Sequence, residues 1–201
     1  TGSTFTYTTS NFAVTGGGGA HKITVADFDS DGKPDVAIAN TKVNRVHVLR
    51  NTTTGATITF AAKVDLVPSN TIFDIASADM NADGKIEIVT IGVNTPRAVS
   101  VFRNTSTGVG NINFAGRVDF THPTYYAETI SIQDVDGDSK PDLVTSNYII
   151  KNTSSGATIS GEPAVAYDPT VMPGSTDNFL AFANDLDGDG IVEIIGFRSY
   201  Y

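Results

Sequence analysis

Four short segments of the chain carry oxygen-bearing side chains at the same four offsets. Take the first acid of each segment as position 1. Positions 1, 3, 5 and 9 are then Asp27, Asp29, Asp31 and Asp35 in the first segment, and Asp79, Asn81, Asp83 and Glu87 in the second. The third supplies Asp134, Asp136, Asp138 and Asp142, and the fourth Asp185, Asp187, Asp189 and Glu193. Side chains at alternate positions of a tight loop can converge on one point. A hard cation such as calcium takes about 6–8 oxygens in a flexible shell, so these sets are candidate calcium ligands. Position 7 (Lys33, Lys85, Lys140, Ile191) has no constant side chain, as expected of a residue that ligates through its carbonyl. Position 6 is Gly32, Gly84 and Gly190, which suits a sharp turn. The third loop departs from this with Ser139.

Charge supports the same chemistry. The loops hold 15 of the 22 acidic residues, and the rest of the chain carries an excess of Lys and Arg. Carboxylates packed this closely repel one another and raise one another's pKa, which a divalent ion in each loop would offset. About four calcium ions, one per loop, are expected. The alternative is a set of solvated acidic turns. An EF-hand is rejected: it needs Glu at position 12 and flanking helices, whereas position 12 here is Ile38, Thr90, Thr145 and Gly196, with a strand following.

The elements that position these loops repeat with them. The loop starts are separated by 52, 55 and 51 residues. A second feature recurs in phase, from Val46 (VHVLRNTTTGATITF), from Val99 (VSVFRNTSTGVGNINF) and from Ile149 (IIKNTSSGATIS). Apolar residues alternate with period two, as in Val46, Val48 and Val99, Val101, and nothing sustains a helical period. Each unit reads as four short strands; in the first they are Lys22–Ala26, Asp35–Asn40, Arg45–Arg50 and Thr57–Leu66, with the acidic loop between strands one and two. The expected architecture is all-β, with β-propeller blades of four antiparallel strands in about four repeats. Residues 1–201 form one array of units at 22–66, 74–120, 128–168 and 179–201, with a strand at 4–12 completing a neighbouring or last blade. Such a set is a small ring, part of a larger ring, or one completed by a second copy, because open edges invite pairing.

The DxDxDGxxD loop leading into an apolar strand resembles the FG-GAP/VCBS repeats of integrin-like β-propellers, over nearly the whole chain. The Phe-Gly and Gly-Ala-Pro elements behind the family's name are weak or missing; Asn11-Phe12 and Gly16–Gly19 stand nearest to them. The resemblance implies calcium that braces each blade, and adhesion, lectin or enzyme-accessory roles. The interval VLRNTTTGATITFAAKVD looks like repeats of large bacterial surface or secreted proteins. That implies an extracellular or cell-surface location, where weak calcium sites suffice.

Other signals narrow the function. A net charge of −9 argues against a nucleic-acid partner. No apolar run is long enough to span a membrane. The absence of cysteine excludes disulfides and thiolate chemistry. The chain starts at Thr1 without a signal-peptide pattern and reads as a mature or excised piece of something longer. Asn51, Asn104 and Asn152 each begin an N-glycosylation acceptor triplet, and all three fall in one repeated turn, which favours a structural reading. His21, His47 and His122 have no partner at triad or metal-ligand spacing and read as surface or packing residues. Asp65 and Asp119 share a repeat position, which suggests a structural role. Glu128, Glu162, Asp168 and Asp177 are unrepeated, and Tyr125, Tyr126 and Tyr167 could stack on a sugar or serve as ordinary loop residues. The expectation is a noncatalytic binding module for carbohydrate or another cell surface. A propeller domain of a polysaccharide-degrading enzyme and a purely structural spacer are the alternatives.

Overall fold

A computed structural model describes residues 9–14, 18–92, 94–95, 97–122, 129–166 and 179–198. The expected strand at 4–12, the tyrosines 125, 126 and 167, and Glu128, Asp168 and Asp177 lie wholly or mostly outside them. No helix occurs among the described residues, and none is long and apolar enough to cross a membrane.

The described residues form four antiparallel sheets in sequence order. The first contains β1 (Ala20–Ala26), β2 (Asp35–Asn40), β3 (Arg45–Leu49) and β4 (Val64–Leu66). The second contains β5 (Ile72–Ala78), β6 (Glu87–Gly92), β7 (Ala98–Phe102) and β8 (Val118–Thr121). The third contains β9 (Ile130–Gln133), β10 (Asp142–Thr145), β11 (Tyr148–Ile150) and β12 (Val165–Ala166). The last is the pair β13 (Phe179–Asn184) and β14 (Glu193–Arg198). Each sheet meanders, and its first strand lies against that of the next: β1 on β5, β5 on β9, β9 on β13. Among the described residues the sheets are therefore blades set around an arc that does not close, an open β-propeller.

Burial explains the strand sequences. One apolar cluster fills the space between the first two blades, with Phe28, Ala37 and Val48 meeting Ile75, Ile88 and Phe102. A second joins the next pair, with Met80, Val89 and Val101 against Ile130, Leu143 and Ile150. Strand β6 is buried along its whole length because both of its faces are covered. Its near-continuous apolar run follows from that position. Each fully buried Ile or Val contributes about 1.5–3 kcal/mol.

The expected strand Thr57–Leu66 is shorter in the structure, since only Val64–Leu66 pairs as β4. Asn51 and Phe60 form an isolated bridge, and the segment between them is a side-chain-stapled hairpin. Thr53 Oγ1 accepts from Thr59 N at 3.1 Å, and Asn51 Oδ1 accepts from Thr53 N at 2.9 Å. Hydroxyl and amide side chains thus take N–H groups that a regular ladder would use.

Candidate metal centres

The four acidic loops share one internal frame. The position 1 carboxylate closes each loop by accepting backbone N–H groups. Asp27 accepts from Asp31 and Gly32 at 3.1 and 2.7 Å, and Asp79 from Asp83 and Gly84 at 3.2 and 2.9 Å. Asp134 accepts from Ser139 at 2.7 Å and Asp185 from Gly190 at 3.0 Å. The glycines at position 6 have φ of 81°, 81° and 86°. Ser139 adopts the same left-handed conformation, φ 67°, so the third loop makes its turn without glycine. Position 4 is also left-handed, in Ser30, Ala82, Gly137 and Gly188. Two such residues in one short loop turn the chain tightly enough to bring the oxygens together.

In the first, third and fourth loops, oxygens of positions 1, 3 and 9 converge. Asp27, Asp29 and Asp35 each place a ligand atom within 4.8 Å of the others, as do Asp134, Asp136, Asp142 and Asp185, Asp187, Glu193. In the second loop these positions are Asp79, Asn81 and Glu87. Position 5 shapes the same loops. Asp31, Asp83, Asp138 and Asp189 each accept, through Oδ1, the N–H of the position 7 residues Lys33, Lys85, Lys140 and Ile191, at 2.8–3.0 Å. The position 7 side chains vary in role: the Lys85 ammonium reaches the Ser106 carbonyl at 2.7 Å, and that of Lys33 lies 3.7 Å from Asp31. The third loop has its own counter-charge, since Lys151 pairs with both Asp136 and Asp138.

The position 9 carboxylate ties the loop to the blade. Asp35 accepts from Phe28 N and Asn51 N at 2.9 and 2.7 Å. Glu87 accepts from Met80 N and Asn104 N at 2.8 and 3.2 Å, and Asp142 from Val135 N and Asn152 N at 3.0 and 2.8 Å. All three are buried. Burial pushes their pKa values up, the backbone bonds pull back, and the neighbouring loop acids push up again; Glu87 is raised to about 7.

Asn51, Asn104 and Asn152, read from sequence as turn residues, belong to this frame. Besides donating N–H to position 9, their side-chain amides bind loop carbonyls: Asn51 to Pro34, Asn104 to Ile86 and Phe28, Asn152 to Pro141 and Met80. Their recurrence in phase with the acidic loops was the available signal. Asn104 and Asn152 are buried and bonded through both ends of the amide, so neither can carry a glycan in the folded chain.

Position 3 joins successive blades. Gly110 N, in the hairpin of the second blade, donates to Asp29 Oδ2 at 2.7 Å. Gly156 N, in the hairpin of the third, donates to the Asn81 carbonyl at 2.9 Å. The other Asp29 oxygen is buried without a hydrogen-bond partner. Arg50 lies 3.9 Å from the first of these oxygens, and the second is left as a buried, unmatched oxygen beside two further carboxylates, an arrangement that fits a cation.

The remaining acids with described contacts are structural. Asp65 Oδ1 lies 2.6 Å from His47 Nδ1, and its other oxygen meets Lys63. Burial pushes the Asp65 carboxyl up, but Lys63 and His47 together outweigh it and hold it below the usual range. At the matching place in the second blade, Asp119 accepts from Ser100 Oγ at 2.7 Å and from Arg117. Asp74 pairs with Lys22 and accepts from Ile130 N at 3.3 Å. His47 and His122 are buried, while His21 is exposed.

Fold and site define an open array of blades, three of them four-stranded and the last described as two strands, each with an acidic loop between its first two strands. A family model described as FG-GAP-like repeat matches residues 27–90 and again 80–145, so its matches run over more than half of the chain. The chain belongs to the FG-GAP-like repeat family. Comparison with curated proteins finds no match.

Proposed function

We infer that this chain is a noncatalytic, calcium-braced adhesion module of the β-propeller type that works outside the cell. The observation that carries the calcium reading is the first loop. Asp29 is buried with one oxygen unpartnered, and oxygens of Asp27, Asp29 and Asp35 lie within 4.8 Å of one another. Two like charges about 4 Å apart repel by about 4 kcal/mol at an effective dielectric constant of about 20. A divalent ion held by positions 1, 3 and 9 turns that repulsion into attraction and locks two blades together through Asp29. Hard oxygen donors with no nitrogen or sulfur among them suit calcium rather than zinc or copper. Outside the cell calcium is abundant, so shallow sites such as those of Asp136 and Asp187 can fill.

The noncatalytic reading is supported by how three of the seven acids outside the loops are spent. Asp65, Asp74 and Asp119 are engaged in ion pairs and hydrogen bonds between strands. The ligand class we favour is carbohydrate or another cell-surface group. Two measurements test the proposal. Melting should fall sharply when calcium is chelated. A glycan array in millimolar calcium should show binding that chelation abolishes; no glycan binding would remove the carbohydrate part and leave a protein surface as the ligand.

A further inference from the structure

Position 2 of each acidic loop lies between two candidate ligands, and in the first two loops the next blade grips its residue. Phe28, between Asp27 and Asp29, is 1% exposed; it shares an apolar cluster with Phe102, and its ring meets that of Phe114 edge-on at 5.8 Å. Met80, between Asp79 and Asn81, is 2% exposed and lies in a cluster with Leu143 and Ile150. A continuous run of hydrogen bonds passes through the same residues. The Asp35 carboxylate accepts from Phe28 N, and the Phe28 carbonyl accepts from the Asn104 amide at 2.9 Å. Asn104 N in turn donates to Glu87, position 9 of the second loop, at 3.2 Å. Glu87 also accepts from Met80 N, the Met80 carbonyl accepts from the Asn152 amide at 2.7 Å, and Asn152 N donates to Asp142 of the third loop at 2.8 Å. Position 9 carboxylates of three loops are thus joined in series, through one backbone residue and one asparagine at each step. A parallel tie runs from Gly110 N to Asp29 and from Gly156 N to the Asn81 carbonyl. All of these contacts lie at the internal joints of the array.

The contacts across each joint are made to backbone groups and acidic side chains of the loop itself. They form only while the loop holds the tight turn that gathers Asp27, Asp29 and Asp35. Calcium, on the reading above, binds that same conformation. An ion in the first loop therefore favours the made joint. The made joint in turn fixes Asn104, which holds the second loop through Glu87 and the Ile86 carbonyl. A ligand shifts an equilibrium only through its different affinities for the two states, and coupling between two sites is reciprocal. Here the element with two states is the loop together with its joint, and the sites on either side of that joint both bias it.

We propose that calcium binds the first three loops with positive cooperativity, each ion raising the affinity of the neighbouring loop through the position 2 residue and the asparagine that grips it. This inference rests on the calcium reading of the loops. Asn104 and Asn152 are positioning residues and not ligands. The blades then tighten together over a narrow range of calcium concentration instead of one by one.

Calcium titration followed by NMR tests this, with the amides of Gly32, Gly84 and Ser139 reporting on the three loops separately. In the wild-type chain each curve should be steeper than one-site binding. Asp31→Ala removes a candidate ligand whose carboxylate contacts only Lys33 of its own loop among the described residues, so the joint is untouched. It should move the Gly84 midpoint to calcium concentrations about fivefold higher or more. Asp83→Ala should move the Gly32 midpoint by the same factor, since coupling is reciprocal. Asn104→Ala keeps every candidate ligand and removes the amide link, so the shift that Asp31→Ala causes at Gly84 should shrink. If Asn104→Ala does not fold, the reciprocal pair of ligand variants decides. One-site curves whose midpoints ignore a substitution in the neighbouring loop would overturn the coupling while leaving calcium in the loops. Shifts undiminished by Asn104→Ala would overturn the route through that amide. No calcium response at any of the three amides would sink the calcium reading itself, and this inference with it.

Discussion

The side-chain amide of Asn104 donates to the carbonyl of Phe28, 2.9 Å away across the boundary between the first and second blades. The same amide reaches the Ile86 carbonyl at 3.0 Å, and its oxygen accepts from Ser106 N at 2.9 Å. One buried side chain thus fastens its own acidic loop to that of the preceding blade. Asn104→Ala strands two carbonyls and an N–H, and should cost about 3 kcal/mol in urea unfolding. Asn51→Ala removes an amide with one such carbonyl partner and should cost about 1 kcal/mol. Equal losses would show that the contact between blades contributes nothing.

Loop conformation gives a second prediction. Ala82 has φ 56° and Ser139 φ 67°, in a region that disfavours residues with a Cβ. Ala82→Gly and Ser139→Gly should each raise stability by about 1 kcal/mol, while Gly84→Ala should lower it by about as much. No heavy atom lies within 4 Å of a Cβ built on Gly84, so conformation rather than crowding sets that cost. A neutral Gly84→Ala would contradict the account of the turn.

His122 sets a pH dependence. Burial lowers its pKa from 6.5 to about 4, and the charge of Arg97 adds to the shift. Between those values the unfolded chain binds a proton that the folded chain does not. Stability therefore falls as pH drops from about 6.5 towards 4 and is retained above that window. Each pKa unit is worth about 1.4 kcal/mol, so the loss approaches 3 kcal/mol. With calcium held at saturation, His122→Gln should show a flatter pH profile than wild type in urea unfolding. Parallel profiles would sink this assignment.

The repeats, the strand period and the acidic loops were readable because each rests on local spacing. Asp27, Asp29 and Asp35 could be picked as one group from offsets alone, since the loop that gathers them is nine residues long. What sequence reasoning missed is what acts between blades. The amides of Asn104 and Asn152 serve loops more than 70 residues away, and no local pattern encodes that contact. The left-handed Ser30 and Ala82 were missed because neither residue type signals positive φ. The fourth strand was drawn too long because Thr and Ile favour strands, whereas Thr53 and Asn51 divert the backbone bonds into a hairpin.

Calorimetric titration of the chelator-treated protein with calcium tests the central claim most directly, with Asp29→Ala run beside wild type. We predict binding of more than one calcium per chain, and loss of the tightest site in the variant, whose remaining sites still titrate. No heat of binding and an unchanged melting temperature in calcium would contradict the claim and leave the four loops as solvated acidic turns.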